Sequence, residues 1–228
     1  MAADPLRSEE SFNQTNATHE APNQNLGPAA SFSNPFTTAS LTQIFERAKL
    51  VLTNPVAAWE KIKTEPTTIE QLYKNYIIVL AAIPAVCQWI SGPLFGQASL
   101  IGGTIFTLVQ FALNMGVLYA YSLIIEALSP KFDGAANRVD GLKLLAYSAT
   151  PGWLGGVFGL IHALSPLTLL CAMYGLYIYY KGIPALRVST EEKAMSFMFT
   201  SIGAFLLVGI SIVMLGFLFG FGLFGAVA

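Results

Sequence analysis

Five apolar runs occupy most of the chain after its first third, at about residues 72–92, 104–127, 142–162, 166–183 and 196–222. A helix needs about 20 mostly apolar residues to cross the hydrocarbon of a bilayer, so each run is predicted to be a transmembrane helix. The fourth run is short, and Lys181 at its end must reach out past Tyr177, Tyr179 and Tyr180 toward the headgroups. The fifth is long, and Ser189-Thr-Glu-Glu192 ahead of it has the form of a capping box. Its first turns are therefore expected outside the lipid. Only His162-Ala-Leu-Ser-Pro166 separates the third run from the fourth, which predicts a tight helical hairpin. The fold class that follows is all-α, a polytopic membrane bundle of five transmembrane helices.

The segment before the bundle is patterned differently. Ser40-Leu-Thr-Gln43 reads as a capping box, and Leu41, Ile44, Phe45, Ala48 and Leu52 then share a helical face. Thr53-Asn-Pro55 restarts the chain with a cap and a proline at the first helical position. A second short helix carries Val56, Trp59 and Ile62 beside Lys61 and Lys63. Short, amphipathic and basic, the pair suits a membrane surface, and it suits equally the cytoplasmic ends of the spans. Residues 1–39 are rich in Ser, Thr, Asn, Gln, Ala and Pro and lack the apolar content to fold. Three regions result: a disordered cytoplasmic tail over 1–39, amphipathic interfacial helices over 40–66, and a five-span domain over 67–228. The tail's Asn13 and Asn16 sequons are ascribed to its Asn/Thr-rich composition.

Composition agrees with a membrane protein. Of 228 residues 54% are hydrophobic and 11% charged, where soluble domains carry roughly 25% charged. The net charge of −1 gives no reason to expect a nucleic-acid partner; the lipid bilayer is the expected one. Cys87 and Cys171 both fall in apolar runs and read as packing residues. No signal peptide and no lipidation motif is recognised, so attachment is expected from the spans. Orientation comes from the bases. Arg47, Lys49, Lys61, Lys63 and Lys74 precede the first span; Lys131, Arg138 and Lys143 follow the second; Lys181, Arg187 and Lys193 follow the fourth. With five spans these three segments share one side, the cytoplasmic one with the N-terminus, and the C-terminus lies outside.

Candidate chemistry is sparse. Glu126 is the acidic residue within a span, close to its end and to Lys131, which suits an interfacial carboxylate paired with a loop base, or a proton relay. Gln110, Asn114 and Tyr121 share a stripe of the same helix, where they would bond to a neighbouring helix or line a path for a small solute. In the third span Pro151 removes a backbone donor and is expected to kink the helix, and Ser148 and Thr150 are placed to bond back to carbonyls. Gly152 and Gly156, with Gly155 and Gly159, make two overlapping GxxxG patterns, and Gly216 and Gly220 make another in the fifth span. Such spacings let helices approach closely. A Ser148–His162 hydrolase pair would need the helix to fold back on itself. No metal-ligand cluster, P-loop or dinucleotide fingerprint is present in the sequence, and no cofactor is expected.

Leu52-Thr-Asn-Pro-Val-Ala-Ala-Trp-Glu-Lys-Ile62, Glu65-Pro66 and Tyr76 resemble the opening of the Yip1 domain, with its "NP…W..I" helix ahead of the first of five spans. Tyr147-Ser-Ala-Thr-Pro151 resembles that family's middle span, and Tyr174-Gly-Leu-Tyr-Ile-Tyr-Tyr-Lys-Gly-Ile183 with Glu192-Lys-Ala194 resembles its fourth-span exit. The resemblance covers about residues 45–222. It implies five helices and a cytoplasmic N-terminus. Eukaryotic relatives bind prenylated Rab-type GTPases, but the family's Asp-Leu-Tyr-Gly-Pro motif is absent here. The chain looks more like the bacterial branch, which implies an inner (cytoplasmic) membrane; a eukaryotic source would imply Golgi or ER. Fold and topology carry over, and no activity does.

Two functions from different classes remain. One is a non-enzymatic membrane organiser with a protein partner recruited through the N-terminal region, or a homo-oligomer. The other is a small transporter or channel using Gln110, Asn114, Tyr121 and Glu126.

Overall fold

A computed structural model describes residues 38–96 and 99–225, and among these every regular element is a helix. The expected tail lies, but for its last two residues, outside the described residues, and both sequons lie there with it.

Helix α1 spans Thr38–Thr53. It starts two residues ahead of Ser40, which therefore lies in its first turn rather than at the cap position. Ile44, Ala48 and Val51 are buried, while Leu41 and Phe45 of the expected face point outward. Helix α2 spans Pro55–Thr64 and begins as predicted: the Asn54 Oδ1 accepts from the Ala57 N–H at 3.1 Å, with proline at the first position. Pro55, Ala58, Trp59 and Ile62 are buried at helical spacing. Trp59, for which the sequence leaves a membrane surface and the ends of the spans both open, is 1% exposed. The helix packs on the bundle because its indole N–H finds a carbonyl there.

Helix α3 runs over Ile69–Leu94, opened by a Thr68/Gln71 capping box. A π turn over Tyr73–Ile77 shifts its register, and the neighbours Tyr76 and Ile77 both face inward. Helix α4 spans Leu100–Leu128, capped by Ser99 and closed by a 3-10 turn, Ser129–Phe132. It buries only Gly103, Ser122 and Ile125, and its outer face is a long apolar surface in which Ile101 is 78% exposed. An apolar surface of that length suits lipid rather than water.

Helix α5 spans Arg138–Gly155, again behind a capping box, Asn137 with Asp140. It passes through Pro151 as an α-helix, then tightens into a 3-10 turn over Gly156–Leu160. A further 3-10 turn, His162–Leu164, leads into α6, Ser165–Ala185. The two form the predicted tight hairpin and make the most extensive helix–helix contact of the described chain. The last helix, α7, spans Ala194–Gly225. Ser189 does not cap it: its hydroxyl donates to the Phe132 carbonyl at 3.0 Å and ties the α6–α7 loop to the end of α4.

Three helices among the described residues are long and apolar enough to cross a membrane, those beginning at Ile69, Leu100 and Ala194, against the five spans expected. The difference has a physical reason. Helix α5 begins with Arg138, Asp140 and Lys143, and α6 carries Lys181 and four tyrosines, so both are less apolar. Most of α5 is also enclosed by its neighbours and has no need of a lipid-like exterior.

The charges are distributed unevenly. No Asp, Glu, Lys or Arg lies between Lys74 and Glu126, between Lys143 and Lys181, or after Lys193. Among the described residues the charges gather in α1, α2 and the stretch into the start of α3, around the α4–α5 turn and around the α6–α7 turn.

Candidate functional site

The charged end of the bundle contains a junction that joins α1 and α2 to α3, α5 and α6. Arg47 of α1 grips Glu65, just past α2, with both guanidinium nitrogens, at 2.5 and 2.8 Å. Its Nη1 also donates to the Tyr147 hydroxyl of α5 at 3.1 Å. Burial would lower the Arg47 pKa, but the bonds and charge of Glu65 and the contact with Tyr147 outweigh it and raise the pKa. The guanidinium therefore stays charged throughout any physiological range.

Aromatic packing extends the junction inward. The Tyr147 ring meets Trp59 edge-on at 6.0 Å and lies 4.6 Å from Tyr76 of α3. The Tyr76 hydroxyl pairs with Thr150 Oγ1 at 2.8 Å, and the Trp59 indole donates to the Ile178 carbonyl of α6 at 3.0 Å. The Tyr174 hydroxyl donates to the Leu52 carbonyl at 2.7 Å. Buried Lys143 donates to the carbonyls of Ile62 and Glu65, at 3.2 and 2.7 Å, closing the end of α2 where carbonyls lack helical partners. Sequence segments more than a hundred residues apart thus meet in one place, and their polar groups are matched to one another.

The glycine pattern divides. A Cβ on Gly155 would lie 2.7 Å from Cys171 Cβ of α6, and one on Gly156 would lie 2.5 Å from Pro84 Cβ of α3. Gly152 and Gly159 have open space at that point. Close approach therefore runs through the adjacent pair rather than along either GxxxG spacing. Gly175 against the Ser148 carbonyl, and Gly182 against Leu144 and Trp59, extend the seam along α6. Sequence reasoning missed both, because a lone glycine in an apolar run gives no spacing signal. Gly216 and Gly220 lie on α7 beyond the residues whose packing is described.

The polar residues of α4 do not converge on a path. Gln110 and Asn114 are exposed on the outer face, and the Asn114 amide donates to the Gln110 carbonyl of its own helix at 2.9 Å instead of to a neighbour. Tyr121 turns inward: its ring stacks on Phe205 at 4.4 Å and its hydroxyl reaches the Phe205 carbonyl. Glu126 accepts from Arg138 Nε at 3.0 Å, and Arg138 also donates to the Tyr119 hydroxyl. The loop base paired with the carboxylate is therefore Arg138, not the nearer Lys131.

Ser148 Oγ is the one buried side-chain polar atom without a partner among the described residues. It borders a cavity of about 330 Å³ lined by apolar side chains and by Tyr179, whose hydroxyl is bonded to Ser201. No base stands next to it there, and His162 lies past the far end of α5. Among the described residues no three His, Cys, Asp or Glu side chains gather to hold a metal ion.

Described residues that are helical throughout their regular elements, with long lipid-suited faces and one charged end, define a helical membrane protein. The chain belongs to the Yip1 domain family, whose sequence model matches residues 49–226. It is 28% identical over 163 residues to the inner membrane protein YohC of two strains of Escherichia coli, covering 64% of this chain and 82% of each relative. No solved structure matches it. The sequence stretches that carried the family resemblance, around Trp59, Tyr76, Tyr147 and Tyr174, are the ones that meet at the junction.

Proposed function

We propose that this chain is a non-enzymatic, five-span protein of a bacterial inner membrane that recruits a partner through its N-terminal region. The observation that carries the reading is the junction of Arg47, Glu65 and Tyr147. Family-typical residues are spent on fastening two short helices to the bundle, and no nucleophile–base pair is assembled beside it. The three charged turns share one side when α5 and α6 both cross or neither does; five crossings are supported by the uncharged stretch between Lys143 and Lys181, long enough for two helices to cross and return. That side is the cytoplasm, and the C-terminus lies outside. The name of YohC supports the inner membrane. Gly155 and Gly156 serve as a packing seam, Pro151 lets α5 close on α6, and Gly216 and Gly220 serve as a packing face of α7. The solute-path reading gains nothing from Gln110 and Asn114, which face outward.

The test is crosslinking of native membranes followed by affinity capture and quantitative mass spectrometry, comparing the full chain with one lacking residues 1–39. A reproducible partner that is lost with the tail is expected. Equal partners without the tail, or a chain recovered only with itself, would overturn the reading.

A further inference from the structure

A second cavity, of about 650 Å³, lies between α2 and the C-terminal end of α6, with Lys63, Lys181 and Arg187 among the residues that line it. Two carboxylates share the lining, Glu60 and Glu191. Glu60 is held by Lys63. Lys181 lies about 6 Å from the ring centroids of Tyr177 and Tyr180, attracted by their faces, and neither Lys181 nor Arg187 forms an ion pair among the described residues. The cavity therefore offers two cations whose charge is not neutralised by direct pairing.

Arg187 is held there at a conformational cost. Helix α6 closes with the Val188 N–H on the Ile183 carbonyl (2.9 Å) and the Arg187 N–H on the Pro184 carbonyl (3.1 Å). In that motif the first residue past the cap is left-handed and is usually glycine. Here it is arginine, with φ 55°. An L side chain is strained in that region, and strain of this kind gathers at functional sites. The Arg187 carbonyl accepts from the Ala135 N–H at 2.8 Å, which fixes the position further.

The third observation is the surface leading to the cavity. Leu169, Met173, Leu176 and Tyr180 follow one another at helical spacing on α6; the first three are exposed and Tyr180 lines the cavity. An apolar track of about 17 Å, at 1.5 Å per residue, thus runs up to two cations. Its shape and chemistry match an amphiphile with an alkyl chain and an anionic head.

We propose that this cavity binds the phosphodiester headgroup of a membrane phospholipid, with Lys181 and Arg187 on the phosphate and an acyl chain along the outer face of α6. A guanidinium can take two phosphate oxygens at once. The site adjoins the Arg47 junction, since Trp59 borders both, and it rests on the reading above in that α6 must lie in the bilayer.

The test is the melting temperature of the purified full chain in detergent with three additives: phosphatidylglycerol, a diacylglycerol with the same acyl chains, and inorganic phosphate. Phosphatidylglycerol is expected to raise it saturably and the other two to leave it unchanged. Arg187→Gly relieves the left-handed strain, so without lipid it should melt no lower than the parent. Its half-saturating phosphatidylglycerol concentration should rise about tenfold, the loss of one charge-assisted contact. Lys181→Gln should weaken binding in the same direction. An unchanged lipid response in Arg187→Gly would overturn the proposal. So would an equal shift from diacylglycerol, which would mean apolar contact alone, or from inorganic phosphate, which would mean a free-phosphate site.

Discussion

Gly152→Ala and Gly155→Ala add the same methyl group to the same helix three residues apart, and the structure predicts opposite outcomes. At Gly155 the new carbon would lie 2.7 Å from Cys171 Cβ and 2.8 Å from its sulfur, about 1 Å inside ordinary carbon contact. Both Cβ atoms are fixed to backbones, so α5 and α6 must move apart. Overpacking of this kind costs about 1–3 kcal/mol, offset in part by the gain of up to about 1 kcal/mol from replacing a helical glycine. A net loss of about 1–2 kcal/mol is expected at Gly155. At Gly152 nothing lies within 4 Å, so only the helix gain remains, up to about 1 kcal/mol of stabilisation. The assay is reversible unfolding in mixed micelles titrated with sodium dodecyl sulfate. Adding Cys171→Gly removes both atoms of the clash, so in a double-mutant cycle with Gly155→Ala it should recover about 1 kcal/mol or more. Equal destabilisation by Gly152→Ala and Gly155→Ala, or a cycle with no coupling, would refute the assignment of the seam.

Two other outcomes follow from the ion pairs. Arg47→Met and Glu65→Gln, combined in a cycle and measured by the same unfolding assay, should couple by about 1.5–3 kcal/mol, as expected of bidentate, charge-assisted bonds. Glu126→Gln should leave the unfolding transition nearly unchanged, because the Glu126 and Arg138 side chains are both more than a third exposed; a marked destabilisation would show that the carboxylate does more than pair at the surface.

Helix positions were legible because apolar runs of span length have few alternatives. The run placed at 104–127 is helix α4, Leu100–Leu128, and that at 166–183 is helix α6, Ser165–Ala185. The restart at Asn54-Pro55 was legible because cap and proline act locally. Contacts between distant segments were not. Arg47 and Glu65 lie 18 residues apart across two helix ends, and no periodicity links them. The π turn at Tyr73–Ile77 leaves no composition signal, although it decides that Tyr76 reaches Thr150. Four glycines at matched spacings look alike in sequence; only the neighbouring helices decide that Gly155 and Gly156 are crowded and Gly152 and Gly159 are not. Gln110, Asn114 and Tyr121 share a stripe by spacing alone, but what each point of a stripe meets depends on the packing of the whole bundle: the first two are exposed and Tyr121 packs on Phe205.

The central claim is that α1 and α2 are fastened to the bundle through Arg47, Glu65 and Tyr147. Amide hydrogen exchange of the full chain in lipid nanodiscs tests it most directly. The account predicts that the backbone amides of residues 44–64 exchange about as slowly as those of the charged end of α5. It also predicts that Arg47→Met speeds exchange over 44–64 while leaving the middle of α5 unchanged. Exchange over 44–64 at the rate of an undocked helix in the unaltered chain would contradict it.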